Sequence, residues 1–168
     1  MEIYTSDPSS RRRSDRIKVG IADFAVGDGE SRLSTSGLGS CVGIALYDAR
    51  VGVAGLAHAM LPVRDGEGDE AKYVDTAIHA LVAAMEREGA SRGRIRAKLA
   101  GGSTMFEFES ADESIGDRNV AAARETLSAL GIPLDGVDVG GEHGRSLELD
   151  GATGDLYVRS AASSDRTL

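Results

Sequence analysis

Two apolar runs, Cys41-Val42-Gly43-Ile44-Ala45-Leu46-Tyr47 and Val51 to Leu61, are separated only by Asp48-Ala49-Arg50, and Pro62 closes the second. So short a link leaves one arrangement, an antiparallel hairpin, because a parallel return needs a crossover of about a dozen residues. The first run reads as a buried strand and the second as its neighbour. A turn centred at Ala49-Arg50 puts position 41 opposite about position 58. The hairpin is therefore expected to bring His58 back beside the start of the Cys41 strand.

The rest of the chain must pack around that pair. Tyr73 to Glu88 carries apolar residues at helical spacing and stops at Gly89; Asn119 to Leu130 is a second helix, introduced by Asp117 and ended by Gly131 and Pro133. Ile17 to Phe24 alternates like a half-buried strand until Gly27-Asp28-Gly29, and Ile95 to Ala100 reads as a strand running into Gly101-Gly102-Ser103. Val137-Asp138-Val139, Arg145 to Leu149 and Leu156 to Arg159 read as closing strands. Mixed strands with two main helices predict an α+β layered domain with a mixed β-sheet core. Residues 1–16, serine-rich and charged around Arg11-Arg12-Arg13, read as a disordered polar tail, residues 17–160 as the domain, and 161–168 as a polar C-terminal tail.

Charge and cysteine usage narrow the function classes. A net charge of −8 across 168 residues argues against binding a phosphate backbone, so no nucleic-acid partner is expected. No apolar run approaches the length of a membrane span, and no direct membrane insertion is expected. A lone cysteine cannot form an internal disulfide, which suits a reducing, cytoplasmic setting. The acidic excess, with 22 glycines and no tryptophan, fits either a salt-adapted source or an ordinary acidic protein.

That cysteine, with the histidine that follows it, is the main clue to chemistry. Cys41 sits in Gly37-Leu38-Gly39-Ser40-Cys41-Val42-Gly43, with His58 following in an apolar segment. A thiol attacks as the thiolate, and a neighbouring imidazole is the usual proton acceptor that makes one at neutral pH. Flanking glycines let a substrate approach closely, so the backbone around Gly39 and Ser40 supplies candidate oxyanion donors. Thr35 is the candidate third member, a hydroxyl able to hold the imidazole in one tautomer, with Ser34, Ser36 and Ser40 as rival hydroxyls. On residue type alone a small core cysteine and a β-forming threonine remain open alternatives. His79 reads as a helix-face histidine, while His143, after Gly140-Gly141-Glu142, could line a site or join His58 in a metal centre. No paired-histidine spacing supports the metal, neither double-glycine loop fits a phosphate fingerprint, and no cofactor is expected.

Several ordered blocks give the chain a resemblance to a known family: Gly37 to Gly43, Ala57-His58-Ala59-Met60-Leu61-Pro62, Lys72-Tyr73-Val74-Asp75, Lys98-Leu99-Ala100-Gly101-Gly102, Ile115-Gly116-Asp117-Arg118-Asn119 and Asp138-Val139-Gly140-Gly141. Over about residues 17 to 159 the chain resembles the chemoreceptor glutamine deamidases of the CheD family. The resemblance implies a fold similar to the deamidating cytotoxic necrotizing toxins. It carries the family's catalytic cysteine, histidine and threonine onto Cys41, His58 and Thr35. It further implies methyl-accepting chemotaxis receptors as substrates, a CheC-type phosphatase as partner, and conversion of receptor glutamines to glutamate through a thioester. A regulatory binding protein that docks on such a phosphatase and stimulates dephosphorylation of CheY is the alternative expectation.

Overall fold

The structure, a computed structural model, describes residues 15–66, 68–104, 114–160 and 164–168. Its centre is the expected hairpin, Val42–Asp48 (β4) against Val53–Ala59 (β5), antiparallel from Val42↔Ala59 to Asp48↔Val53. The register differs from expectation by two residues, with Gly43 rather than Cys41 opposite His58. The turn is the reason. It spans four residues, Ala49 to Gly52, closed by the Gly52 N–H on the Asp48 carbonyl at 2.9 Å, with Gly52 at φ +67°. That moves the turn centre by one residue, and each such step moves the opposing position by two. The buried Asp48 carboxylate fixes the turn by accepting from the Arg50 and Ser91 N–H groups and pairing with Arg94 at 3.0 Å. Burial alone would raise the pKa of that carboxyl; the Arg94 and backbone donors bring it below the ordinary carboxylate range.

Around the hairpin the chain builds three layers. The central sheet has the order β2-β5-β4-β6-β7, with Asp23–Gly27 (β2), Arg96–Gly101 (β6) and Leu134–Val139 (β7). The outer sheet has the order β1-β3-β8-β9-β10, formed by Arg16–Lys18 (β1), Arg32–Leu38 (β3), Arg145–Asp150 (β8), Leu156–Arg159 (β9) and Arg166–Thr167 (β10). Both sheets are mixed, since β1–β3 and β6–β7 pair parallel and the other pairs antiparallel. Two helices, Val74–Arg87 (α1) and Ile115–Ala129 (α2), cover the other face of the central sheet. Ile44, Leu46 and Ala57 pack with Ile78, Leu81, Met85 and Leu127 on the helix side. Ala45, Ala54 and Leu56 pack with Leu33, Leu147 and Leu149 of the outer sheet. A strand covered on both faces has no solvent side to alternate with, which is why β4 and β5 are near-continuous apolar runs. Each fully buried leucine or isoleucine here contributes about 1.5–3 kcal/mol. The α+β layered fold is as expected, with the β-rich part divided into two sheets.

Several element assignments are corrected. The run Ile17 to Phe24 is two strands in different sheets, because Ala22 at φ +59° turns the chain from β1 into β2. The start of α2 lies four residues before Asn119, where the Ser114 hydroxyl caps it by accepting the Asp117 N–H at 3.1 Å. The segment 161–168, expected as a polar tail, contains β10, and Leu168 exchanges main-chain hydrogen bonds with Leu156. Of the N-terminal tail, residues 1–14 lie outside the described residues, while Arg16 belongs to β1.

Candidate active site

Thr35 reaches the site from β3, a strand that the serine- and glycine-rich sequence does not announce. Leu33, Thr35 and Leu38 are buried in the inter-layer space, and the register of β3 against β8 shifts between Thr35 and Leu38. His58, on β5, is fully buried and faces the same layer as Ala54 and Leu56. The two side chains meet, Thr35 Oγ1 to His58 Nδ1, at 2.8 Å, while Thr35 Oγ1 also donates to the Val19 carbonyl at 2.7 Å.

That second bond decides the tautomer. A hydroxyl has one proton, and Val19 takes it, so Thr35 Oγ1 can only accept from the imidazole. The proton of neutral His58 therefore sits on Nδ1, and Nε2 carries the lone pair. Nε2 is buried with no hydrogen-bond partner among the described residues. Leaving such an acceptor unpaired costs about 1–3 kcal/mol, and its lone pair is free to accept a proton from a group that reaches it.

Cys41 immediately precedes β4 and is half-buried against the inter-layer core. Val42 packs toward the helices and Cys41 against the inter-layer cluster, so Cys41 lies on the face of Gly43. Gly43 is the residue opposite His58, which makes Cys41 the diagonal neighbour of His58 on that face, within reach of a long side chain. Gly43 has no side chain to stand between them, and a Cβ there would run into Leu147 Cδ1. The two-residue register shift thus leaves the cysteine and the histidine on the same face, now diagonal instead of opposed.

Electrostatics departs from the expected resting thiolate. Burial pushes the Cys41 thiol up, offset only in part by its own backbone N–H. Burial pushes His58 down from 6.5. Both shifts favour a neutral thiol and a neutral imidazole in the resting protein.

The loop of Gly39 and Ser40, the candidate oxyanion segment, is half-buried between β3 and β4. It rests on the Gly101-Gly102 corner, where Gly101 is at φ +108° and a Cβ would collide with the Cys41 carbonyl oxygen. The second double glycine lies next to the first, with Gly140 N–H on the Gly101 carbonyl at 3.0 Å. Buried Arg145 ties this end together, pairing with Asp138 at 3.1 Å and donating to the Gly140 carbonyl at 2.9 Å. Sequence reasoning missed Arg145, and its place at the head of an apolar strand was the available signal.

His79 is exposed on α1, and the His143 ring lies against Gly141. Neither is hydrogen-bonded to Cys41, His58 or Thr35. A hollow of about 390 Å³ on the outer sheet is lined by Lys18, Ser34, Thr35, Tyr157 and Arg159 but reaches neither Cys41 nor His58. Of the three candidate residues, Thr35 alone borders it. The buried polar atoms without a partner among the described residues are His58 Nε2, Ser103 Oγ and Asn119 Oδ1. All three belong to residues tied to the Cys41 neighbourhood, since Ser103 N–H bonds the Gly39 carbonyl and Asn119 Nδ2 the Ser40 carbonyl.

A family model described as CheD chemotactic sensory transduction matches residues 60–160, a stretch that begins two residues after His58. Curated relatives extend over the whole site. A protein of Haloarcula marismortui named probable chemoreceptor glutamine deamidase CheD is 51% identical over 174 residues, covering 100% of each chain. A protein of Pyrococcus abyssi with the same name is 51% identical over 147 residues, covering 85% of this chain and 90% of its own. One from Geobacter metallireducens, named probable chemoreceptor glutamine deamidase CheD 2, is 51% identical over 150 residues, covering 86% and 93%.

Proposed function

The chain belongs to the CheD family, and on that premise we propose that it is a protein-glutamine deamidase that converts chemoreceptor glutamines to glutamate through Cys41, His58 and Thr35. The observation that carries the catalytic part is the Thr35–His58 bond, which leaves a buried, unpartnered Nε2 on the sheet face that also bears Cys41.

The steps follow from the neutral resting pair. As the Cys41 sulfur bonds to the δ-carbon of a glutamine side chain, its proton passes to His58 Nε2, and the carbonyl oxygen becomes an oxyanion. The imidazolium keeps its Nδ1–H on Thr35, so its other proton is aimed at the site. That proton goes to the departing amide nitrogen, the C–N bond breaks, and ammonia leaves a thioester. Water then gives a proton to Nε2 as it attacks the thioester carbon. The C–S bond breaks, His58 returns the proton to sulfur, and glutamate is released. Backbone N–H groups of the Ser40-Cys41 loop hold the oxyanion in both halves.

Incubating the purified protein with receptor should release ammonia and add about one dalton per modified side chain, the difference between amide and acid. Receptor whose mass stays constant and whose ammonia is nil would overturn the reading.

Thr35 gives a sharper check. In Thr35→Val the β-branched shape survives, but the imidazole loses its acceptor and the Val19 carbonyl its donor. Turnover should fall roughly 10- to 100-fold, less than the ~10⁴ lost with an orienting carboxylate, because a neutral hydroxyl stabilises the imidazolium less. Thr35→Ser keeps the hydroxyl and should retain most of the rate. Deamidation by the two variants at equal folded fraction measures this; valine equal to wild type would remove Thr35 from the site.

A further inference from the structure

Three successive carbonyls of the nucleophile loop are held by hydrogen bonds. The Gly39 carbonyl accepts the Ser103 N–H, the Ser40 carbonyl accepts Asn119 Nδ2, and the Cys41 carbonyl accepts the Gly102 N–H, each at 2.8 Å. The outer two are main-chain bonds. Only the middle one depends on a side chain, and its donor lies in the Ile115 to Asn119 block to which the steps above give no task.

Asn119 is fully buried in the second turn of α2. Its Nδ2 also donates to the Met60 carbonyl at 2.9 Å, two residues beyond His58. Both partners are carbonyl oxygens, which only accept, so the nitrogen of the amide must face them. The cost falls on Oδ1, a buried acceptor without a partner among the described residues. An apolar side chain would spare that oxygen but would take the donor away from the Ser40 and Met60 carbonyls, so the amide is placed for the two bonds it gives.

The peptide plane links Asn119 to the chemistry. The described residues contain no cis peptide, and in a trans peptide the C=O and N–H point in opposite directions. Pinning the Ser40 carbonyl therefore turns the Cys41 N–H the other way. That N–H lies three covalent bonds from the cysteine sulfur, and no main-chain acceptor holds it among the described residues. During acyl transfer the negative charge develops on the carbonyl oxygen of the carbon bonded to that sulfur, so a donor near the sulfur is placed close to the oxyanion.

We propose that Asn119 is a positioning residue that sets the Cys41 N–H as the oxyanion donor by fixing the Ser40–Cys41 peptide plane, with its second N–H tying that plane to the end of the His58 strand. The inference rests on the reading of Cys41 as nucleophile.

The test compares two reactions of one thiol. Deamidation passes through an oxyanion, whereas alkylation by iodoacetamide is a direct displacement and does not. Cys41 is the sole cysteine, so adduct mass reports it alone. In Asn119→Ala, kcat for a receptor fragment should fall roughly 10- to 100-fold, short of the 10²–10³ lost when a donor is deleted outright, because the N–H is misdirected and not removed. KM and the alkylation rate should stay as in wild type. Asn119→Asp keeps the side-chain shape but turns a carboxylate on two carbonyl oxygens, and should show the same split.

An unchanged kcat overturns the proposal. So does alkylation that falls in parallel with kcat, because Asn119 would then hold the thiol or the fold. Failure of both variants to fold also overturns it, in favour of a structural role. The nucleophile is tested separately, since a Cys41→Ala protein that still deamidates defeats the reading beneath this one whatever Asn119 does.

Discussion

Cys41→Ala is expected to release no ammonia from receptor and to leave receptor mass unchanged, while its unfolding midpoint stays close to that of the wild type. The chemistry needs a sulfur to form the thioester, and the described residues offer no second thiol. Stability should barely move because Cys41 is half-buried at the edge of the inter-layer core, so truncation removes one sulfur without opening a large internal cavity. Cys41→Ser should be equally inactive. A serine hydroxyl is far less acidic than a thiol, and a base whose pKa burial has already lowered is poorly matched to it. Receptor mass, followed with the wild type and both variants at equal folded fraction, measures this. Undiminished deamidation by Cys41→Ala would end the proposed mechanism.

His58→Gln is expected to lose about 10³-fold or more in turnover, since in the proposed mechanism His58 moves a proton in both half-reactions and one general acid–base step is worth about 10²–10⁴. Glutamine retains an amide able to meet Thr35, so the fold should survive. The pH dependence carries a sign that can be checked. Burial lowers the His58 pKa below 6.5, so wild-type activity should hold through 6.5 and fall only as pH drops through that lowered value. Stability follows the same group. The unfolded chain takes the proton at about 6.5 while the folded protein resists it, so folded stability falls as pH drops from 6.5 through the folded value. Above 6.5 the residue is neutral in both states and this dependence vanishes. Urea midpoints at neutral and mildly acid pH, for wild type and His58→Gln, should therefore differ by a smaller acid loss in the variant. Equal acid losses would mean His58 is not the buried neutral base described here.

Much of the scaffold is local in origin and can be read from the chain. Val74–Arg87 lies within the predicted Tyr73 to Glu88, because helical spacing of Ala77, Ile78, Leu81 and Met85 and a stop at Gly89 are short-range signals. The β4–β5 pair is equally legible, since a short polar link between apolar runs permits little else. Legibility ends where a local preference is overruled. Arg32–Leu38 has only Leu33 and Leu38 as large apolar residues, and it is a strand because Arg145–Asp150, more than a hundred positions later, pairs with it. Arg166–Thr167 is a strand because β9 offers an edge.

In the site, the sequence alone determined the chemical inventory: one thiol, a histidine on the neighbouring strand, a hydroxyl before the glycine turn, and the family that these blocks resemble. Those depend on residue type and order, which no folding changes. Only the tertiary structure decided the protonation and the geometry. The tautomer of His58 depends on the Val19 carbonyl taking the Thr35 proton. The neutral thiol depends on burial between two sheets. The work of Asn119 depends on a helix delivering an amide to Ser40 and Met60, separated from it by 79 and 59 positions. Each is a property of the low-dielectric space between layers, and that space exists only once strands distant in the chain have paired.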